Sequence, residues 1–256
     1  LKKINKEISI YANRKQNEID ELKKMAAFRR EFIADVSHEL KTPIFSAQGF
    51  VHTLLDGAID NKSVRENFLK KAAKSLDRLD LLVQDLMTIT QIEKGEINMH
   101  FESFDLVELS IEAMDQLEKK AHQKKVKLQL LNSTGQPVYV SADYLRIYQV
   151  ILNLLSNAIN YAGSGAQAVI KITPLGKKVV FELSDNGIGI PESDLSRIFE
   201  RFYRVDKSRS KKTGGSGLGL SIVKHIIESH KSKINVESSR KGTKFWFDLK
   251  GGSQPK

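Results

Sequence analysis

The chain has 256 residues, of which 40% are hydrophobic and 28% charged, with a formal net charge of +10 and no cysteine. The length exceeds one average domain, so we expect two domains with a sizeable core. Without cysteine, disulfides, thiolate metal sites and cysteine nucleophiles are excluded, and the composition suits a reducing compartment. The positive charge is compatible with nucleic acid, an anionic membrane surface or phosphorylated ligands.

Residues 1–31 are predicted to form a basic helix with an imperfect heptad seam that Lys15 interrupts. No apolar run is long enough to span a bilayer, and no signal peptide is visible. Because the chain begins with Leu1 rather than Met, we expect a fragment of a longer protein. A basic helix is common just inside a membrane, so a membrane segment is expected upstream of Leu1.

The next stretch, residues 32–45, places a histidine on the solvent-exposed face of an amphipathic helix. His38 lies roughly opposite the apolar stripe, Thr42 follows one turn later on the same face, and Glu39 is adjacent. A carboxylate beside an imidazole can hold or deprotonate it. Taken alone, His38 is better explained as a solvated surface histidine. Pro43 removes a backbone donor and is predicted to bend the helix. The apolar stripe consists of Phe32, Ile33, Val36, Leu40, Ala47, Val51 and Leu54.

A second helix is predicted over residues 63–94, joined to the first by a short loop at Gly57. Its apolar residues alternate three and four apart, which is a heptad pattern. Two such helices form an antiparallel hairpin, but one hairpin buries only a narrow seam. Two hairpins together bury every stripe as a four-helix bundle, so we predict a symmetric homodimer. The heptad positions are Leu69, Ala72, Leu76, Leu79, Val83, Leu86 and Thr90.

After residues 94–96 the pattern changes to short strands alternating with helices, which predicts an α/β sandwich separate from the hairpin. The predicted strands cover residues 97–101, 126–131, 138–141, 169–173, 179–184, 234–238 and 244–249. The predicted helices cover residues 105–124 with Asp105 as the N-cap, 143–161, 192–199 and 218–230.

The helix at 143–161 carries two asparagines on one otherwise apolar face, Asn153 and Asn157. Asparagine is a poor helix former and is unfavourable to bury unless it is paired. The pair therefore indicates either a polar pocket or satisfied core amides. An amide oxygen is a suitable ligand for Mg²⁺ that is bound together with substrate phosphates.

Two glycine-containing turns follow. Residues 185–191, DNGIGIP, place a carboxylate at a strand end beside glycines that permit close approach of a flat ligand, although a plain turn is the simpler explanation. Residues 213–220, TGGSGLGL, open a helix, where backbone N–H groups can bind phosphates. This segment matches neither the P-loop nor the dinucleotide fingerprint. Basic side chains precede it, namely Arg201, Arg204, Lys207, Arg209, Lys211 and Lys212.

Together these segments resemble the cytoplasmic part of the sensor histidine kinases of bacterial two-component systems. The resemblance covers roughly residues 28–250, and the motifs stand in the order of that family. They are SHELKTP, NLLSNAINYA, DNGIGIP, IFERFYRVD and GGSGLGLSIVK. The resemblance implies a dimeric helical hairpin that forms a four-helix bundle, followed by an α/β sandwich of the histidine-kinase and gyrase ATPase type. It also implies a signalling helix at 1–31, a dimerisation and phosphotransfer hairpin at 32–95, and an ATP-binding domain at 96–252.

By the same resemblance, His38 is the phosphorylated residue, Glu39 the neighbouring base, and Thr42 the residue that aligns a water for dephosphorylating the partner protein. Asn157 is implied to bind Mg²⁺, and Asp185 to hydrogen-bond the adenine amino group. The nucleotide-binding residues implied by the family are Asn153, Asn157, Tyr161, Asp185, Gly187, Gly189, Arg204, Gly215, Gly217, Leu218, Gly219 and Thr243.

The implied function is autophosphorylation of His38 from ATP and Mg²⁺, followed by transfer to an aspartate of a response regulator and dephosphorylation of that regulator. The implied location is the cytoplasmic side of the bacterial inner membrane, with this fragment itself soluble. Asn160 stands where the family commonly has lysine, which puts one phosphate contact in doubt.

Other interpretations remain open at this stage. An ATPase clamp of the gyrase type explains the nucleotide motifs but gives His38 and Thr42 no function. A scaffold that binds ATP without transferring phosphate is suggested by Asn160. Direct nucleic-acid binding is the least favoured, because no recognition motif accompanies the basic residues.

Overall fold

The computed structural model describes residues 2–93, 99–163, 165–205 and 215–254. The chain divides into two compact units, Leu1–Leu82 and Val83–Lys256. The expected combination of a helical hairpin and an α/β domain is confirmed. None of the helices in the described ranges is long and apolar enough to cross a membrane.

The first unit is built on helix α1, Lys2–Leu55, and on most of helix α2, Lys62–Glu93. Helix α1 continues without interruption through the His38 stretch and through Pro43, which is buried. A bend at Pro43 stays a prediction. A short 3₁₀ turn, Ala58–Asp60, follows Gly57, whose φ of 108° is readily adopted only by glycine. The predicted bounds of α2 agree with the observed ones to within a residue at each end.

The hairpin leaves much of its apolar seam exposed. Ala72 is 6% exposed, whereas Leu69 and Leu76, at seven-residue spacing on the same helix, are 54% and 55% exposed. On α1, Leu54 is buried but Ile33 is 56% exposed. A repeating exposed leucine stripe is the surface that a second hairpin covers in a four-helix bundle. The exposure therefore supports the homodimer expected from the heptad pattern.

Leu76→Glu is expected to convert a dimer into a monomer. Burying a leucine contributes about 1.5–3 kcal/mol, and each dimer contains two copies. A carboxylate at the same position adds a desolvation penalty, so the dimer dissociation constant should rise by at least about a hundredfold. Sedimentation equilibrium at micromolar concentration measures the change. The matched control is Lys74→Glu, two residues away at an exposed position, which should remain dimeric. A monomeric unsubstituted chain would contradict the prediction.

Two sheets are formed by the described residues of the second unit. Strands β1 and β3 form an antiparallel pair, and the larger sheet has the order β2-β4-β5-β7-β6, with β2 parallel to β4 and the other neighbours antiparallel. The strands are β1 Phe101–Asp105, β2 Lys127–Asn132, β3 Tyr139–Asp143, β4 Gln167–Leu175, β5 Lys178–Asp185, β6 Asn235–Ser239 and β7 Gly242–Lys250. The helices are α3 Leu106–Lys124, α4 Tyr144–Tyr161, α5 Glu192–Leu195 and α6 Gly219–Ser229.

Two predicted elements differ from the structure by more than two residues at a boundary. The strand expected at 97–101 shares only Phe101 with β1, and residues 97–98 lie outside the described residues. The observed strand continues to Asp105 because its register pairs Phe101 with Asp143 and Asp105 with Tyr139. Helix α5 ends at Leu195 rather than at residue 199, and α6 begins at Gly219. The predicted N-cap at Asp105 is confirmed, since its carboxylate accepts from the Val107 N–H at 2.9 Å.

Helices α3, α4 and α6 cover one face of the larger sheet. Helix α4 positions the two asparagines, and α6 follows the glycine-rich segment. The core between them is apolar: Leu155 of α4 and Ile222 of α6 are fully buried, and Phe181 and Phe247 stack across neighbouring strands with ring centroids 5.0 Å apart. The other face of α4 carries the asparagines, so the apolar side of the helix fixes where its polar side points.

His230 joins α6 to β3 at the edge of this core. Its Nδ1 donates to the Ile226 carbonyl oxygen at 2.8 Å, and its Nε2 accepts from the Asp143 N–H at 3.0 Å. Because Nε2 must be an acceptor, the ring is neutral. Burial lowers the pKa of His230, and this exceeds the opposing effects of the Ile226 carbonyl and the Asp143 carboxylate.

The stability of the second unit should therefore fall in mild acid. The unfolded chain binds a proton at His230 more readily than the folded one, so this stabilisation is complete above about pH 6.5 and is lost as the pH falls below that value. His230→Gln keeps an acceptor that does not titrate. Between about pH 7.5 and about pH 5.5, its melting temperature should fall by several degrees less than that of the unsubstituted chain. The same fall in both proteins would exclude His230 as the titrating group.

Candidate functional site

In the first unit, His38 stands on the open face of α1, as predicted. Its side chain is 72% exposed, whereas that of Glu39 is 17% exposed. The Glu39 Oε1 atom lies 3.9 Å from His38 Nδ1, and the Glu39 Oε2 atom lies 3.7 Å from Arg78 Nη2 on α2. The carboxylate therefore lies between an imidazole and a guanidinium. Sequence reasoning missed Arg78, which looks like an ordinary polar position of the heptad.

Thr42 lies one turn after His38, and its hydroxyl donates to the His38 backbone carbonyl oxygen at 3.2 Å. In this hydrogen bond between residues four apart, the hydroxyl proton of Thr42 is donated to a backbone carbonyl of the same helix. The oxygen keeps its lone pairs, so in this rotamer Thr42 can accept a hydrogen bond from a water molecule but cannot donate one.

In the second unit, Asp185 ends β5 with a half-buried carboxylate. Its Oδ1 accepts from the Gly187 N–H at 2.8 Å. Burial raises the pKa of Asp185, and the backbone hydrogen bonds from Gly187 and Thr243 oppose this rise. With one oxygen bound to the turn, the carboxylate is held rigidly and retains capacity to accept from an amine.

The glycines of the Asp185 turn allow the backbone to pass very close to its neighbours. A Cβ on Gly187 would lie 2.8 Å from both the Asp185 Oδ1 and the Tyr161 carbonyl oxygen. Gly189 has φ of 71°, and a Cβ there would lie 1.8 Å from the Ser239 carbonyl oxygen. Close packing of this turn against Asp185, Tyr161 and Ser239 therefore requires glycine at both positions.

Ser238 ties this turn to β7, and sequence reasoning missed it. Its hydroxyl oxygen accepts from the Ile190 N–H at 2.8 Å and forms a hydrogen bond with Thr243 Oγ1 at 2.9 Å. Thr243 is 7% exposed and pairs with Asp185 in the β5–β7 register. The predicted residues Asp185 and Thr243 are thus brought together.

Helix α4 carries a polar face that runs toward the Asp185 turn. Asn153 Nδ2 donates to the Gly219 carbonyl oxygen at 3.4 Å, which links α4 to the first residue of α6. Asn157 follows one turn later and is half-buried. Tyr161 ends the helix with its side chain 40% exposed, and its carbonyl oxygen accepts from the Ile188 N–H at 3.5 Å. The predicted residues on α4 therefore form one continuous polar face.

The described part of the glycine-rich segment, residues 215–220, is held by two contacts with residues that precede it. The Arg204 guanidinium donates to the Gly215 carbonyl oxygen. Gly217 has φ of 79°, and its carbonyl oxygen accepts from the Phe202 N–H at 3.0 Å. Leu218 is fully buried at the start of α6. The predicted basic residues Lys207, Arg209, Lys211 and Lys212 lie outside the described residues.

Ser216 makes a further contact within the second unit that the sequence did not indicate. Its hydroxyl donates to Asp85 Oδ2 at 2.9 Å and accepts from the Leu218 N–H at 3.2 Å. Burial raises the pKa of Asp85, and the Ser216 hydrogen bond opposes this rise. The contact holds the backbone of the glycine-rich segment at the N-terminus of α6.

The donor set of this pocket fits a nucleotide and a magnesium ion. Within the described ranges, no group of three or more His, Cys, Asp or Glu side chains is placed to hold a metal. Asn157 offers an amide oxygen, a hard ligand that suits Mg²⁺ when phosphates and water complete the coordination. Gly187 packs closely against Asp185, whose carboxylate can accept from an amine, and α6 offers its N-terminus.

Comparison with known families matches both units. The His Kinase A (phospho-acceptor) domain matches residues 28–95, and the histidine kinase-, DNA gyrase B- and HSP90-like ATPase domain matches residues 142–252. The chain belongs to the sensor histidine kinase family. Its second matched domain is an ATP-binding domain, which confirms the nucleotide expected from the sequence.

Individual relatives agree with the family. The chain is 34% identical to the sensor histidine kinase WalK of Bacillus subtilis, over 91% of this chain and 38% of WalK. It is 35% identical to the sensor-like histidine kinase SenX3 of Mycolicibacterium smegmatis, over 88% of this chain and 58% of SenX3. The chain therefore spans less than two thirds of the length of these relatives.

Solved structures show the same arrangement of elements. The histidine kinase AdeS of Acinetobacter baumannii superposes with a TM-score of 0.67 at 26% identity, covering 84% of this chain and 98% of AdeS. The histidine kinase ThkA, solved in complex with the response regulator protein TrrA, superposes with a TM-score of 0.62 at 26% identity. That alignment covers 87% of this chain and 61% of ThkA.

Proposed function

We propose that this chain is a protein-histidine kinase that phosphorylates His38 from ATP and passes the phosphoryl group to an aspartate of a response regulator. The observation that carries the proposal is the exposed imidazole of His38 beside a half-buried carboxylate, in a chain that also has an ATP-binding domain. ThkA, a relative by structure, was solved with a response regulator protein. The hairpin acts as a homodimer.

In the proposed reaction His38 is the nucleophile. A free imidazole is mostly neutral near pH 7. With Nδ1 facing Glu39, the Nε2 atom points outward and attacks the γ-phosphorus of ATP in line with the leaving oxygen. The N–P bond forms, the bond from phosphorus to the β–γ bridging oxygen breaks, and ADP leaves. Glu39 takes up the Nδ1 proton as the ring becomes positively charged.

The second unit binds the nucleotide. Asp185 accepts a hydrogen bond from the adenine amino group. Arg204 and the backbone N–H groups of the glycine-rich segment bind phosphate oxygens. Asn157 would hold Mg²⁺, which would supply positive charge to offset that of the phosphates. Asn153 keeps α6 in place against α4 through Gly219.

Dephosphorylation of the response regulator is assigned to Thr42. Because its hydroxyl oxygen accepts rather than donates in this rotamer, it can orient a water molecule for attack on the phosphorylated regulator. Residues 1–31 serve as the signalling helix, residues 32–95 as the phosphotransfer hairpin and residues 96–252 as the ATP-binding domain. Continuity of α1 from Lys2 to Leu55 gives a signal a direct mechanical route to His38.

The proposal is tested by following the γ-phosphate of labelled ATP. The purified chain with Mg²⁺ should retain the label on protein and should pass it to a receiver domain on mixing, with loss of label from the kinase. An ATPase clamp would release the label as free phosphate and leave none on the protein. A scaffold would bind ATP without either result.

A further inference from the structure

The carboxylate beside His38 is held from the facing helix of the hairpin. His38 Nδ1 on the same helix lies 3.9 Å from Glu39 Oε1, and Arg78 Nη2 on α2 lies 3.7 Å from Glu39 Oε2. The Arg78 side chain is 26% exposed and that of Glu39 is 17% exposed, so this contact is half-buried. His38, at 72%, projects beyond both.

This arrangement restrains the direction of the Glu39 carboxylate. A glutamate side chain on a helix has several rotamers, and an ion pair with a residue of another helix selects among them. Half-buried charge pairs are screened less by water than exposed ones. With Oε2 occupied by Arg78, Oε1 remains directed at His38 Nδ1.

The Arg78 guanidinium also offsets the negative charge of the Glu39 carboxylate. A carboxylate without a cationic partner stabilises a neighbouring imidazolium, which reduces the neutral fraction of the imidazole near pH 7. Only the neutral imidazole has a free lone pair for attack on phosphorus. A cation on the far side of Glu39 weakens this effect while leaving the carboxylate able to accept the Nδ1 proton.

We propose that Arg78 is a positioning residue for phosphorylation of His38, which orients Glu39 and offsets its charge so that the imidazole is neutral and correctly turned for attack. The expected effect on the rate of autophosphorylation rests on the proposed function. The expected effect on protonation of His38 rests on the hairpin geometry alone. Arg78 does not itself touch the reacting atoms.

The charge effect is measured first without nucleotide. Diethyl pyrocarbonate modifies neutral imidazole, and mass spectrometry of the His38 peptide gives the rate of modification as a function of pH. In Arg78→Gln, the pH of half-maximal rate should rise by about half a unit to one unit, because Glu39 is no longer offset. Arg78→Lys keeps the positive charge, so its pH of half-maximal rate should lie close to that of the unsubstituted chain. Arg65→Gln, an exposed arginine on the same helix, is the matched control and should leave it unchanged.

Autophosphorylation at saturating ATP is measured second. Arg78→Gln should lower the rate on the order of tenfold near pH 7 and shift the pH–rate midpoint in the same upward direction, without changing the KM for ATP. Arg78→Lys should recover the midpoint but only part of the rate, since a lysine cannot reproduce the fork geometry of arginine.

The two readouts separate the possible failures. An unsubstituted chain that never retains label refutes the proposed function, while the modification experiment still tests Arg78. Midpoints that do not move in Arg78→Gln overturn the inference even when the rate falls, because a purely structural role lowers the rate equally at every pH.

Discussion

His38→Ala is expected to abolish retention of label from ATP, a loss of at least about a thousandfold in the rate of autophosphorylation. The substitution removes the nucleophile itself, and no neighbouring group replaces a missing nitrogen. Because His38 lies in the first unit and the nucleotide pocket in the second, ATP affinity should stay within about twofold. Filter retention of label and binding of a fluorescent ATP analogue measure the two quantities separately.

The matched control for this experiment is His52→Ala. His52 is another exposed histidine on α1 and is not expected to be phosphorylated. The His52→Ala protein should therefore retain label as the unsubstituted chain does. Retention of acid-labile label by the His38→Ala protein would refute the assignment of the phospho-acceptor. Loss of ATP binding in the same protein would show that the substitution had disturbed more than the acceptor.

Asp185→Asn is expected to weaken ATP binding about 10- to 100-fold. The replacement has nearly the same shape, so the fold and the contact with the Gly187 N–H should persist. A hydrogen bond to a charged group contributes about 1.5–3 kcal/mol, and a neutral amide loses much of it. Since the contact is assigned to the adenine amino group, ADP affinity should fall by the same factor as ATP affinity. Isothermal titration calorimetry with both nucleotides tests this.

Preference among bases gives a sharper version of the test. The unsubstituted chain should bind ATP more tightly than GTP, which presents no amino group at the same ring position, and Asp185→Asn should lose most of this preference. Asp248→Asn, an acid on β7 paired with Lys178 at 2.8 Å, is the matched control and should bind as the unsubstituted chain does. Unchanged affinity in Asp185→Asn would remove Asp185 from the base pocket.

The sequence predicted the helices well because their signals are local. The heptad pattern of α2 and the N-cap at Asp105 depend on residues within a few positions of one another. Strand pairing depends on distant residues, which a single sequence does not reveal. Strands β2 and β3 are consecutive in the chain, yet β2 pairs with β4 and β3 with β1, so they belong to different sheets.

The residues of the candidate site likewise fall into those with a local sequence signal and those whose role depends on distant residues. His38, Asn157 and Asp185 were identified because each stands in a motif that resembles one of the histidine kinase family, and these motifs follow one another in the family's order. Arg78, Ser238 and Asp85 were missed because each has an ordinary local pattern, and its significance arises from a partner on another element. Sequence reasoning therefore named the candidate residues for the proposed chemistry, while the structure was needed to find the contacts around them.

Identification of the phosphorylated residue is the most direct test of the account. The chain is incubated with γ-labelled ATP and Mg²⁺, digested at alkaline pH, and the labelled peptide is sequenced by mass spectrometry. The account predicts one modified site, at His38, with a bond that is stable in base and labile in acid. Label on another residue, or label found only as free phosphate, would contradict it.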